Sequence, residues 1–127
     1  MNDNPAPDRP ILKDVVPVLA TRNLDAALSF YCELLGFQLG WKWGDPPDIA
    51  SVCYDQVEFN LAVRQEESLQ TSTVYIVVEK IDLLYQTWMS AGLEVTTPIA
   101  DQEYGMRDFE FEDLDGNRIC VGEAIDV

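Results

Sequence analysis

Apolar and polar positions along this chain change period in the same order twice. Residues 15–20 (VVPVLA) form a short apolar run rich in β-branched side chains, the pattern of a buried strand. Thr21, Arg22 and Asn23 interrupt it, and Asn23 is a good helix N-cap. Leu24, Ala27, Leu28, Tyr31 and Leu35 then fall on one helical stripe, and Gly36 stands where a left-handed cap ends a helix. The spacing predicts a helix over 24–35. Strands are predicted at 37–43, 49–54 and 57–63, separated by Gly44-Asp45-Pro46-Pro47-Asp48 and by the tight Asp55-Gln56 turn. In the last of these, Val57, Phe59, Leu61 and Val63 alternate with Glu58, Asn60 and Ala62. One face of such a sheet covers helices; the other lines a wetter cup.

After a polar linker, residues 64–72, the order restarts. An apolar strand is predicted at 73–78. Ile81, Leu84, Tyr85 and Trp88 mark a second helical stripe, and Gly92 ends it as Gly36 ended the first. Further strands are predicted at 93–96, 107–112 and 118–122, the last two joined by the Asp113-Leu114-Asp115-Gly116-Asn117 turn. The predicted fold is therefore α+β. Two repeated βαβββ units, about 15–63 and 73–123, form a curved, mixed eight-stranded sheet with helices on the outer face. An N-terminal arm, residues 1–14, precedes a single domain over 15–127.

Composition narrows the chemistry. Asp plus Glu number 23 against 8 Lys plus Arg, a net charge of -15, which repels a phosphate backbone and disfavours nucleic-acid binding. The same field attracts a cationic small molecule. No run approaches the roughly 18 apolar residues of a membrane span. The polar, proline-rich start lacks the form of a secretory signal, so a cytoplasmic location is expected. Cys32, Cys53 and Cys120 are odd in number and form no Cys-x-x-Cys pair, which points to free thiols. The chain has no histidine, so neither a His-ligated metal nor an imidazole base is available, and no cofactor is expected.

Three stretches, VPVLATRNLDAALSFYCELLGF (16–37), VEKIDLLYQTWMSAGLEV (78–95) and YGMRDFEFEDLDGNRICVGE (104–123), resemble the glyoxalase/bleomycin-resistance/extradiol-dioxygenase superfamily, the vicinal oxygen chelate proteins. The third is the most specific. The Val-Pro-Val-Leu opening and the Arg-Asn-Leu-Asp helix entry are especially similar to bleomycin-binding resistance proteins. The resemblance implies a ligand cup on the concave sheet, often completed by a second subunit, and hence a homodimer. It also implies that the arm crosses to that partner. Enzymes of the superfamily hold a divalent metal with His, Glu or Gln, and the matching positions here are Val16, Asn60, Thr73 and Cys120. Valine has no donor, and neutral Asn or Thr oxygens are weak ligands for zinc or iron.

The candidate ligand-binding residues are Trp41, Trp43, Glu58, Asn60, Tyr75, Tyr104, Glu110 and Cys120. Trp41 and Trp43 lie two apart on a predicted strand and share a face beside a loop, where they suit a flat or cationic ligand. Trp41 and Tyr104 also resemble drug-packing aromatics of bleomycin-binding proteins. Tyr75 shares a face with Thr73 and Val77. Glu58, Asn60 and Glu110 supply polar groups, and Cys120 is read as an inert lining residue, there being no base near it. Asp108, Glu110 and Glu112 alternate along one strand and read as a solvated face. The leading expectation is a non-enzymatic small-molecule binder that sequesters its ligand. An enzyme of the superfamily with an atypical metal site, or a protein using the cup as an interface, are the alternatives.

Overall fold

The computed structural model describes residues 8–125. The first repeat comprises β1 (Val18–Thr21), α1 (Leu24–Leu28), β2 (Gln38–Gly44), β3 (Pro47–Tyr54) and β4 (Val57–Val63). The second comprises β5 (Thr73–Val77), α2 (Ile81–Ala91), β6 (Thr97–Asp101), β7 (Met106–Glu112) and β8 (Arg118–Ala124). The fold is α+β, and each repeat builds its own four-stranded mixed sheet, ordered β1-β4-β3-β2 and β5-β8-β7-β6. In both sheets the first strand runs parallel to the last, while the remaining pairs are antiparallel. The eight expected strands thus divide evenly between two sheets.

The first helix starts as the pattern requires, with the Asn23 side chain accepting from the Ala26 N–H. It then widens into a π-helical stretch, Ser29–Leu34, in which the Leu35 N–H donates to the Phe30 carbonyl. Tyr31 is fully buried there, edge-on to Phe37 and Phe59. The second helix has an N-terminus of a different kind. Lys80 at its start carries no capping oxygen; instead the Glu123 carboxylate, from β8, accepts from the Lys80 and Ile81 N–H groups. Glu123→Ala is expected to cost about 1 kcal/mol, the usual worth of a cap, measured by urea unfolding.

One predicted strand is corrected. Residues 93–96 are not a strand; β6 begins at Thr97. The Leu93 N–H donates to the Trp88 carbonyl and its side chain enters the core, so this residue closes the helix instead of starting a ladder. Pro98 is tolerated in β6 because that strand lies at the sheet edge and carries a bulge between Thr97 and Ala100.

One core joins the repeats: Leu19, Tyr31, Phe37, Phe59 and Leu61 from the first, with Ile76, Trp88, Phe109, Phe111 and Val121 from the second. Buried polar links cross it, among them two that start from core aromatics. The Trp88 Nε1–H donates to the Leu35 carbonyl at 2.9 Å, and the Tyr31 hydroxyl donates to Asp113 at 2.7 Å. Of the expected arm, residues 1–7 lie outside the described residues, as do 126–127 of the expected domain. Residues 8–17 form no helix or strand, and Leu12 in them is 99% exposed. No helix among the described residues is long and apolar enough to cross a membrane.

Candidate functional site

Strand parity separates each sheet into a core face and an open face. In the first sheet Ala50, Val52, Phe59 and Leu61 enter the core, which turns Ser51, Cys53, Glu58, Asn60 and Ala62 to the other side. Register carries that side outward: Trp41 pairs with Ser51, Ser51 with Asn60, and Asn60 with Val18. Trp43 sits opposite Ile49 on the same face. The two indoles therefore project together, Trp41 44% exposed and Trp43 71%. Beneath them the Ser51 hydroxyl donates to Glu58 at 2.5 Å, and the Asn60 Oδ1 is buried with no hydrogen-bond partner.

The open face of the second sheet is a tighter cluster. Tyr75 pairs with Cys120 and Cys120 with Glu110, so all three share a face with Asp108 and Gly122 two residues on. The Tyr75 and Tyr104 hydroxyls both donate to Asp108 Oδ2, at 2.9 and 2.5 Å. Asp108 is only 6% exposed, although Tyr104 itself lies on an exposed loop. Gly122 makes this possible. A Cβ there would overlap the Tyr75 hydroxyl and stand 2.7 Å from its Cζ, so the ring lies across the bare backbone. Beside the pair, the Cys120 thiol donates to Glu110 at 3.3 Å.

The reading of Asp108, Glu110 and Glu112 as one solvated face holds only for Glu112, which is exposed. Asp108 is buried because two phenols from other parts of the chain cover it. Asp108, Ser51 and Gly122 are the residues that sequence reasoning passed over. For Asp108 the available signal was its alternation with Glu110. The eight candidates fall into two groups, Trp41, Trp43, Glu58 and Asn60 on one sheet, and Tyr75, Tyr104, Glu110 and Cys120 on the other. Among the described residues no hydrogen bond or ring contact joins the two groups.

Protonation follows from these contacts. The hydrogen bond to Asp108, with some burial, pushes the Tyr104 phenol up to about 12. Burial first, then Asp108, raises Tyr75 as well. Burial and the Glu110 carboxylate push the Cys120 thiol up to about 11, so it stays protonated at neutral pH. Tyrosine absorbance titration is expected to show Tyr104 ionising near pH 12 and, in Asp108→Asn, nearer its ordinary 10.0. The folded pKa lies above the unfolded one. Any stability drawn from this bond is therefore complete below pH 10.0 and lost as pH rises through about 12.

The four positions that match metal ligands in the superfamily's enzymes do not fit that task here. Val16 has no side-chain donor atom, Thr73 offers only a neutral hydroxyl, Asn60 Oδ1 is buried, and Cys120 is a protonated thiol tied to Glu110. No group of three Asp, Glu or Cys side chains among the described residues is arranged to hold a metal ion.

Comparison with curated proteins returns no match. Among solved structures, TioX from Micromonospora sp. ML1 superposes with a TM-score of 0.77 at 18% identity, covering 89% of this chain and 99% of that one. A bleomycin-binding protein complexed with bleomycin gives 0.73 at 17% identity, covering 88% and 98%. Lactoylglutathione lyase from Agrobacterium tumefaciens gives 0.74 at 18% identity, covering 91% and 96%. At these identities the likeness is one of fold. The family model described as Glyoxalase/Bleomycin resistance protein/Dioxygenase superfamily matches residues 14–121, and this chain belongs to that superfamily.

Proposed function

We propose that this protein binds and sequesters a small organic ligand on its open sheet faces without metal chemistry. The observation that carries the proposal is the buried Asp108 carboxylate beneath the hydroxyls of Tyr75 and exposed Tyr104. Phenols around a carboxylate make a socket for a positive group, since the carboxylate accepts several hydrogen bonds and its charge is poorly screened when buried. The exposed Trp41 and Trp43 faces supply stacking area for a flat ring. A net charge of -15 draws cations toward both. Sequestration fits better than catalysis because the set holds no free base, no thiolate and no fitting metal quartet. The free Cys32, Cys53 and Cys120 suit a reducing, cytoplasmic setting.

Calorimetric titration with bleomycin, the ligand named for one protein of this fold, tests the narrow form. Binding at micromolar or tighter affinity supports it, and no heat removes bleomycin as the ligand. Metal analysis of purified protein tests the class: zinc, iron or manganese at one equivalent per chain would replace sequestration with a metal-dependent reaction.

The site is proposed to work in a homodimer. Ile11 and Leu12 are exposed in the single chain, and an arm bearing them gains by crossing to a partner. Light scattering of a chain lacking residues 1–13 is expected to show monomer; an unchanged dimer would deny the arm this role.

A further inference from the structure

A further cavity lies away from the Trp41 and Asp108 groups. It is a cleft of about 570 Å³ at the seam of the repeats, between the β3–β4 turn and the start of α2. Its size falls in the range of roughly 300–1,000 Å³ typical of small-ligand sites. Aromatic rings form its walls. Phe37 and Trp88 are buried at its base, and half-open Tyr54 stands edge-on to Phe37 with centroids 5.4 Å apart. Because the Trp88 Nε1–H is spent on the Leu35 carbonyl, that indole offers the cleft no donor. Only the mouth is charged. Asp55 and Glu79, both exposed, line it, and no lysine or arginine does among the described residues.

We propose that this cleft is a second small-molecule site, for a lipophilic organic cation whose apolar body meets the rings while its charge faces Asp55 and Glu79. An anion of equal shape would meet two carboxylates in a strongly acidic protein. A neutral body would gain the apolar contact alone. Aromatic walls add cation–π attraction, which favours a positive ligand over its neutral counterpart. The site is independent of the ligand proposed for the open faces.

Tetraphenylphosphonium and tetraphenylborate, alike in shape and opposite in charge, are the probes, with calorimetry as the readout. The phosphonium is expected to bind at one equivalent per chain and at least about tenfold more tightly than the borate, a factor within reach of cation–π and charge terms. General attraction to an acidic protein would produce some preference by itself, so variants decide. Tyr54→Ala removes one wall without touching the charge and is expected to weaken the phosphonium about tenfold. Glu79→Gln is expected to weaken it about threefold, as an exposed charge does. Trp41→Ala should leave it unchanged, which separates this cleft from the open face. Unchanged binding in Tyr54→Ala, loss in Trp41→Ala, or no preference over the borate would each overturn the proposal. So would a dimer that dissociates in Tyr54→Ala while the phosphonium fails to bind the wild type, since the cleft would then be seated by a second copy.

Discussion

Replacing Asp113 by alanine is expected to destabilise the fold by about 3–5 kcal/mol, the largest loss from any single polar side chain among the described residues. This carboxylate is buried at the hairpin between β7 and β8 and accepts four hydrogen bonds. Oδ1 takes the Asp115 and Asn117 N–H groups; Oδ2 takes the Tyr31 hydroxyl and the Asn117 Nδ2. Asn117, itself fully buried, passes the link on, donating to the Ala20 carbonyl and accepting from the Ser72 N–H. One carboxylate thus ties the hairpin, the π-helical stretch after α1, β1 and the linker together across the two repeats. Alanine would leave the phenol, the amide and two backbone donors with no acceptor in a site that excludes water. Each orphan costs about 1–3 kcal/mol, reduced where the hairpin relaxes. Tyr31→Phe removes one donor with its partner satisfied elsewhere and is expected to cost only about 1 kcal/mol. Urea unfolding of both single variants and the double variant checks this, and strong non-additivity is expected because the groups share one network. Additive losses would deny the coupling of Tyr31 to Asp113, and an alanine variant losing under about 1 kcal/mol would mean the hub is dispensable.

The same hub shows what a linear reading can and cannot find. The Asp-x-Asp-Gly-Asn turn was legible as a turn, because Gly116 supplies positive φ there. Its role as the clasp of the repeats was not, since Tyr31 stands 82 residues from Asp113. Most element boundaries were legible because burial on one side imposes a period: β4 runs over Val57–Val63 as its alternation required. The first strand, expected over 15–20, begins only at Val18. The clearest departure, β6, lies at an edge, where one unpaired side relaxes the alternation, and where Leu93 is consumed in closing α2. The site was legible in the same partial way. Parity alone put Trp41 with Trp43, and Tyr75 with Thr73 and Val77; the pairing of Tyr75 with Cys120 came only with the register. Burial of Asp108 depends on a bond between residues 33 apart and on the missing side chain of Gly122, and neither leaves a periodic trace. Ser51, inside an apolar run, acquires its role only through the hairpin register that brings Glu58 to it.

Within the proposed function, Trp41→Ala and Asp108→Asn are expected to lower bleomycin affinity by about thirtyfold each, through different terms. Truncating a central aromatic anchor commonly costs about 2 kcal/mol, and Trp41, half covered beside Ser51, is better placed for that than the more exposed Trp43. Its loss should be nearly independent of salt, because stacking area is not screened. Asp108→Asn keeps shape and removes charge. Its penalty should largely persist as ionic strength rises, since a buried carboxylate is screened far less than the exposed charges that steer the cation. A neutral, flat compound should therefore respond to Trp41→Ala and ignore Asp108→Asn. Gly122→Ala provides the control that separates geometry from charge. It leaves every carboxylate in place but pushes Tyr75 off Asp108, so affinity should fall while the salt dependence stays that of the wild type. If Asp108→Asn proved harmless at low salt, the socket beneath the two tyrosines would be a structural contact, and the positive charge of the ligand would have to be read elsewhere on the open faces.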